Sequence, residues 1–291
     1  MSMSPSDPLP SPAARSAADS AAASEQETAD AVVSQAIAAE AGQLLLDLRD
    51  SFGPVDPEDR ARAGRLRDEA DAASHRLIVS RFAEQRPGDI VLSEEGVDDP
   101  ARLGAERVWI VDPLDGTWEY GSGRADFAVH IVLWTRSGPD GAGTLSASTV
   151  ELPAQGATLA SVDPRRPAPE LPTDRPLRLV ASRSRAPKTL SATADRLGER
   201  LDREVEIVGV GSVGAKVAEI LRGNAEAYVH DTGFYEWDVA APLAVVHRYG
   251  YHGTHTDGAD IRFNRPSPYV TSLVVAHPAI ATDLLQVVAL S

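Results

Sequence analysis

Cysteine is absent from the 291 residues. That removes any disulfide framework and any thiol chemistry, as fits a cytoplasmic protein. Lysine is nearly absent: Lys188 and Lys216 stand against 26 arginines (28 − 2). Basic charge is short overall, since 28 Lys and Arg face 43 Asp and Glu for a net charge of −15. A chain so acidic lacks the broad basic face that nucleic acid requires, although a few local charges or a metal can still hold a small phosphorylated ligand. No apolar run reads as long as the ~20 residues of a membrane span, so no membrane partner is expected. The start, "MSMSPSDPLPSPAARSAADSAAASEQE", has no basic segment followed by an apolar core and does not read as a secretory signal.

Composition shifts once, near residue 28. Residues 1–28 are rich in Ser, Ala and Pro without hydrophobic period, and are expected to be a disordered tail. From about Asp30, Val33, Ile37, Leu44, Leu45 and Leu48 recur at helical spacing, and a second helix is expected over residues 71–84. Short strands follow at "DIVLS" and "RVWIV", then longer ones at "FAVHIVLW" and "LSASTVEL" around a hairpin loop, "TRSGPDGAG". The proline-rich "SVDPRRPAPELPTDRP" divides the chain into two halves, 29–175 with helices and antiparallel-looking strands, and 176–291 with strand and helix in alternation.

The chemistry concentrates where apolar segments end in carboxylates. "DIVLSEEG" places Glu94 and Glu95 just past a strand, and "VWIVDPLDGT" places Asp112 and Asp115 past another. Pro113 is expected to fix a tight turn, and Gly116 lets the backbone approach a ligand. Carboxylates converging at strand ends repel one another, and a divalent cation with all-oxygen ligation, such as Mg²⁺, resolves the conflict. The bland alternative is a solvated acidic turn with a helix N-cap at Asp115 or Thr117. Asp238 in "YEWDVAAPLAVV" reads as an N-cap by itself, and "GVGSVGAK" offers Gly211, Ser212 and Gly214 ahead of a helix whose amides can receive a phosphate. Phosphatases of the haloacid dehalogenase type need aspartates two residues apart before Gly-Thr. Here Pro113 occupies the first of those positions, which excludes that reading.

Glu95 follows Glu94 in an extended chain, is expected on the opposite side, and so reads as a solvated residue or one behind the ligands. His252 and His255 are expected to be solvated, and Trp109 and Trp237 to be packing residues. Lys216, beside the Gly-Ser turn, reads equally as a surface lysine or a substrate contact.

"VLSEEG", "WIVDPLDGT", "GSVGAK" and "WDVAAP", in this order and approximate spacing, resemble the inositol monophosphatase superfamily over roughly residues 30–291. Within it, "RPGDIVLSEE", "RADFAVHIVLW" and "EWDVAAP" look most like the actinobacterial CysQ-type branch, the 3′(2′),5′-bisphosphate nucleotidases. The resemblance implies a layered α/β sandwich (αβαβα) and a Mg²⁺-dependent phosphomonoesterase holding two or three ions and inhibited by Li⁺ and Ca²⁺. It implies removal of the 3′-phosphate from 3′-phosphoadenosine 5′-phosphate, and from its 5′-phosphosulfate, in sulfur assimilation. It implies Glu94, Asp112, Asp115, Asp238 and the Leu114 carbonyl as metal ligands. Asp71 matches a helical aspartate that completes the site, although the usual Thr-x-x-Asp context is missing. Thr117, with Glu94 and Asp71, would orient the attacking water. Gly116, Thr117, Ser182, Gly211, Ser212, Lys216 and Asp238 would contact substrate, with Arg183 at its border. A homodimer is allowed. The same-class alternative is an inositol 1-phosphate or fructose 1,6-bisphosphate phosphatase. The alternative of another class is a silent nucleotide- or metal-binding protein, from which a ligand or the threonine would be expected to be lost.

Overall fold

The computed structural model describes residues 12–56, 59–138, 141–164, 167–183 and 185–290. The chain runs α1 (Pro12–Phe52), α2 (Arg60–Gln85), β1 (Ile90–Ser93), β2 (Arg107–Asp115), α3 (Thr117–Gly121), β3 (Ala128–Arg136), β4 (Gly143–Leu152) and β5 (Ala157–Ala160). It continues through β6 (Leu177–Ser182), α4 (Leu190–Leu201), β7 (Val205–Val210), α5 (Val213–Leu221), β8 (Ala227–His230), β9 (Phe234–Tyr235), α6 (Glu236–Arg248), β10 (His252–Thr254), β11 (Tyr269–Val270), β12 (Leu273–Ala276) and α7 (Ala281–Val288).

The first sheet has the order β1-β2-β3-β4-β5, parallel at β1/β2 and antiparallel beyond. The second has the order β10-β12-β8-β6-β7, with β8, β6 and β7 parallel. Helices α1 and α2 cover the outer face of the first sheet, α5 and α6 fill the space between sheets, and α4 and α7 cover the second. Among the described residues the layers therefore alternate helix, sheet, helix, sheet, helix. Each apolar face is buried against the next layer, which is why strands β2 and β3, covered on both faces, read as continuous apolar runs.

Ile37 and Leu45 of α1 and Ile78 and Phe82 of α2 are fully buried against Trp109, Val111 and Ile131. Trp109 packs on Phe82 with ring centroids 4.5 Å apart and donates its indole N–H to Asp89.

Three expectations need correction. Helix α1 begins at Pro12, inside the stretch expected to be a disordered tail, because alanine, so frequent there, is the best helix former; the remainder of that tail, residues 1–11, lies outside the described residues. Helix α2 begins at Arg60, eleven residues early, capped by Asp59, whose side chain accepts the Arg62 amide. Finally, Glu25–Phe52 is apolar and long enough by composition to cross a membrane. Its apolar stripe is instead the buried face against the first sheet.

Candidate active site

Strand β2 runs through the core and does not stop at Asp112. Its partners on β3 are His130 for Asp112 and Ala128 for Asp115, so three steps on one strand face two on the other. This is a β-bulge, placed where Pro113 has no N–H to contribute to the ladder. The tight turn expected at Pro113 is therefore an irregularity within a strand. In a regular strand, residues three apart face opposite sides; one inserted residue turns them to the same side. The bulge is held from α2, where Ser74 Oγ donates to the Pro113 carbonyl at 2.8 Å. The Leu114 amide donates to Asp112 Oδ1 at 3.0 Å.

Gly116 then takes a left-handed conformation, φ +89°, in which a Cβ would stand 2.9 Å from the Ser212 Cβ. Helix α3 starts at Thr117, whose hydroxyl donates to the Leu114 carbonyl at 3.1 Å. Asp238 is not the N-cap of α6 but the third residue inside it, reaching back to accept the Tyr235 amide at 2.7 Å. Carboxylate oxygens of Asp112, Asp115 and Asp238 lie within 4.8 Å of one another.

The charges conflict. Burial, then Glu94, Asp115 and Asp238, push the Asp112 carboxyl well above its ordinary range. Burial and then Asp115 raise Asp238 to about 6. Glu94, although exposed, is raised to about 7 by desolvation and then by Asp238, and it stands within hydrogen-bonding reach of Asp112. Asp71 on α2 is raised to about 7 by burial, then by Glu95 and Glu94. Both glutamates thus act on Asp71, and Glu95 is itself exposed, as expected of a solvated or outer residue. Asp115 goes the other way. Burial opposes its charge, but His130, the Gly214 amide and Lys216 outweigh that and hold it below the ordinary range.

Asp115 Oδ2 accepts the Gly214 amide at 2.7 Å, and His130 Nε2 stands 3.2 Å from the same oxygen. Ser212 caps α5, accepting the Ala215 amide at 3.0 Å. Lys216 is 2% exposed and therefore no surface lysine. It donates to the carbonyls of Gly211 and Ser212, lies over the Tyr228 ring, and burial lowers its pKa to about 8. Ser182, at the end of β6, accepts the Arg185 amide at 3.3 Å. Arg183 pairs with Asp126 at 2.5 Å, and Asp126 accepts the Gly211 amide at 2.7 Å. His252 and His255 are half-buried and paired rather than solvated, with Thr254 and Ser272 respectively. Trp237 stacks on Tyr235 with centroids 4.8 Å apart.

Three members of this assembly were missed in the sequence. His130 carried a signal, as the one titratable residue within the apolar run "FAVHIVLW". Ser74 and Asp126 carried none, since each acts by bonding a main-chain group distant in sequence.

A cluster of acidic oxygens, crowded and largely desolvated, is stable when protonated or when a cation neutralises it. An all-oxygen donor set suits a hard divalent ion such as Mg²⁺ rather than a soft one. The residues present therefore fit a metal.

The profile of the inositol monophosphatase family matches residues 25–289. A 3′-phosphoadenosine 5′-phosphate phosphatase of Mycobacterium leprae is 39% identical over 269 residues, covering 91% of this chain and 95% of that protein. The Mycobacterium tuberculosis phosphatase of the same name is 38% identical, covering 86% and 90%. The crystal structure of CysQ from Bacteroides thetaiotaomicron superposes with a TM-score of 0.65 at 23% identity, over 85% of this chain and 97% of that one. The shared fold, the carboxylate cluster at the bulge of β2 and the extent of these matches agree: the chain belongs to the inositol monophosphatase family.

Proposed function

We propose that this protein is a Mg²⁺-dependent phosphomonoesterase that removes the 3′-phosphate from 3′-phosphoadenosine 5′-phosphate, leaving AMP and phosphate. The convergence of Asp112, Asp115 and Asp238 beside Thr117 is the observation that carries the reaction class. The names of its mycobacterial relatives carry the substrate. The same reading places the enzyme in the cytoplasm, in sulfur assimilation, with 3′-phosphoadenosine 5′-phosphosulfate as a further substrate.

Asp112, Asp115, Asp238 and Glu94, with the Leu114 carbonyl and with Asp71 at the far side, would hold two or three ions. Bound there, Mg²⁺ supplies Lewis-acid chemistry: it offsets the charge of the phosphate and acidifies water. The chain's own groups do the positioning. The Thr117 hydroxyl, already directed along the bulge by its bond to Leu114, orients the attacking water together with Glu94 and Asp71. The amides of Gly116 and Thr117, at the start of α3, would receive phosphate oxygens. Lys216 and Asp126 act indirectly, by clamping the Gly211–Ser212 turn that forms the substrate wall. Li⁺ would inhibit by competing for the site these residues would form. Ca²⁺ would inhibit because its longer, looser coordination misplaces the water.

Phosphate release from 3′-phosphoadenosine 5′-phosphate, inositol 1-phosphate and fructose 1,6-bisphosphate, with Mg²⁺ and after chelation, tests the proposal. The adenosine bisphosphate is expected to be preferred and chelation to abolish turnover. Preference for a sugar or inositol phosphate would overturn the substrate, and metal-independent turnover would overturn the mechanism.

A further inference from the structure

Arg102, in the 3₁₀ turn Pro100–Gly104 between β1 and β2, is 1% exposed, and among the described residues it is the one buried arginine. Each of its three side-chain nitrogens has a partner. Nε and Nη2 donate to the two carboxylate oxygens of Asp98 at 2.5 and 2.9 Å, and Nη1 donates to Asn264 Oδ1 at 2.9 Å. Asn264 returns a bond from Nδ2 to the Arg102 carbonyl at 3.0 Å.

Asn264 holds φ +55°, a left-handed conformation that asparagine tolerates. Two consecutive amides at this turn meet one carboxylate: Glu236 Oε2 accepts the Asn264 amide at 2.6 Å, and Oε1 accepts the Arg265 amide at 2.9 Å. Glu236 is also 1% exposed, and its own amide donates to the Pro268 carbonyl at 2.7 Å. It is the first residue of α6, and Asp238 is the third. At the other end, Asp98 follows Glu94 by four residues. The line Asp98, Arg102, Asn264, Glu236 therefore ties the loop that carries Glu94 to the helix turn that carries Asp238.

Desolvating a guanidinium costs about as much as its pairing returns, so a buried arginine adds little net stability and is better read as fixing geometry. The geometry at stake resists assembly. Asp112, Asp115 and Asp238 bring oxygens within 4.8 Å of one another, and their charges repel. The first two are fixed in a core strand, so the repulsion is relieved most easily by outward movement of the start of α6. A tie from that turn to the loop after β1 opposes the movement.

We propose that Arg102, Asn264 and Glu236 are positioning residues of the metal site: their strut holds the first turn of α6, and with it Asp238, in place against the loop of Glu94 and the bulge of β2. The proposal rests on the metal-binding reading argued above. A site assembled in advance binds its ion without first having to order its ligands, and a site with the strut cut must spend binding energy on doing so.

Two substitutions cut the strut without changing net charge, so their effect on Mg²⁺ cannot come from the field of the cluster. Asn264→Gly keeps the left-handed turn and both amides but removes the two bonds to Arg102. Arg102→Lys keeps the charge, but one ammonium cannot reproduce the fork that meets Asp98 and Asn264 together. Leu197→Ala, in the separate apolar cluster under α4 and α7, controls for lost stability alone. Each variant is compared with wild type by calorimetric Mg²⁺ binding without substrate, by Mg²⁺ titration of phosphate release, and by melting curves. Asn264→Gly and Arg102→Lys are expected to weaken Mg²⁺ binding about 10- to 100-fold, with kcat at saturating Mg²⁺ near that of wild type. The double variant is expected to lose no more than the worse single change, because both cut the same strut. Leu197→Ala is expected to melt lower and to bind Mg²⁺ as wild type does. Wild-type affinity in Asn264→Gly, additive losses in the double variant, or an equal loss in Leu197→Ala would overturn the proposal. A wild type that binds no Mg²⁺ would instead overturn the metal reading, and the strut's role with it.

Discussion

His130 Nε2 lies 3.2 Å from Asp115 Oδ2, on the inner side of the carboxylate cluster. The ring is fully buried, and its Nδ1 stands 3.3 Å from the Trp237 carbonyl, one residue before Asp238. One side chain on β3 thus props a metal-binding candidate on β2 and the start of the helix that carries another.

His130→Ala should therefore weaken Mg²⁺ binding by about 10- to 100-fold, as for other outer-sphere supports of metal ligands. A Mg²⁺ titration of activity and calorimetric binding at fixed pH would measure it. Unchanged affinity would mean that the Gly214 amide suffices to hold Asp115.

Asp115→Asn and Thr117→Ala separate charge from water positioning. The asparagine keeps an acceptor for the Gly214 amide but removes a negative charge from the cluster. Turnover should fall by several orders of magnitude with weaker metal binding, while the melting temperature falls modestly, because His130, the Gly214 amide and Lys216 favour the charged carboxylate. Thr117→Ala leaves the carboxylates intact and should lower kcat by about 10²–10⁴ with KM little changed. If both residues served only the helix start, each change would cost about 1 kcal/mol of stability and spare activity.

Gly214→Ala should be more disruptive than its size implies. The added methyl would stand 2.5 Å from His130 Nε2 and 2.9 Å from both Ala128 Cβ and Val150 Cγ1. It must push α5 back from β3, withdrawing the amide from Asp115. A loss of about 1–3 kcal/mol from overpacking is expected, together with loss of Mg²⁺ affinity. Full activity with a normal melting curve would show that the amide is dispensable.

Without metal, the protein should be less stable at neutral than at mildly acid pH. Asp238 titrates at about 6 and Glu94 and Asp71 at about 7, against about 4 for carboxyls in the unfolded chain. Between these values the folded protein holds protons that the unfolded chain has released, so stability falls as pH rises through that window. Mg²⁺ should reverse the trend, raising the melting temperature most near pH 7.5 and displacing protons on binding. Melting curves from pH 5 to 7.5 with and without Mg²⁺, and calorimetry in buffers of different ionisation enthalpy, would read both effects. Parallel pH dependences in the two conditions would refute the account.

Much of this was legible in the sequence because it is local. Helical spacing in α1 placed Ile37 and Leu45 in the core, and apolar runs marked β2 and β3. "DPLDGT" and "WDVAAP" pointed to carboxylates that could share an oxygen-ligated cation, and the resemblance they carry implied a phosphorylated substrate. Periodicity reports which face of an element is apolar, and that is a property of neighbouring residues. What only the tertiary structure decided depends on contacts between distant segments. Pro113 looked like a turn, and only its pairing with β3 shows a bulge that brings Asp112 and Asp115 to one side. Asp238 looked like an N-cap, and only the start of α6 at Glu236 places it inside the helix. Lys216 could have been on the surface; the packing of α5 between two sheets buries it. His130, Ser74 and Asp126 enter the site by bonding groups far away in the chain. No window of sequence contains such a pair, and so the final geometry of the site belongs to the fold.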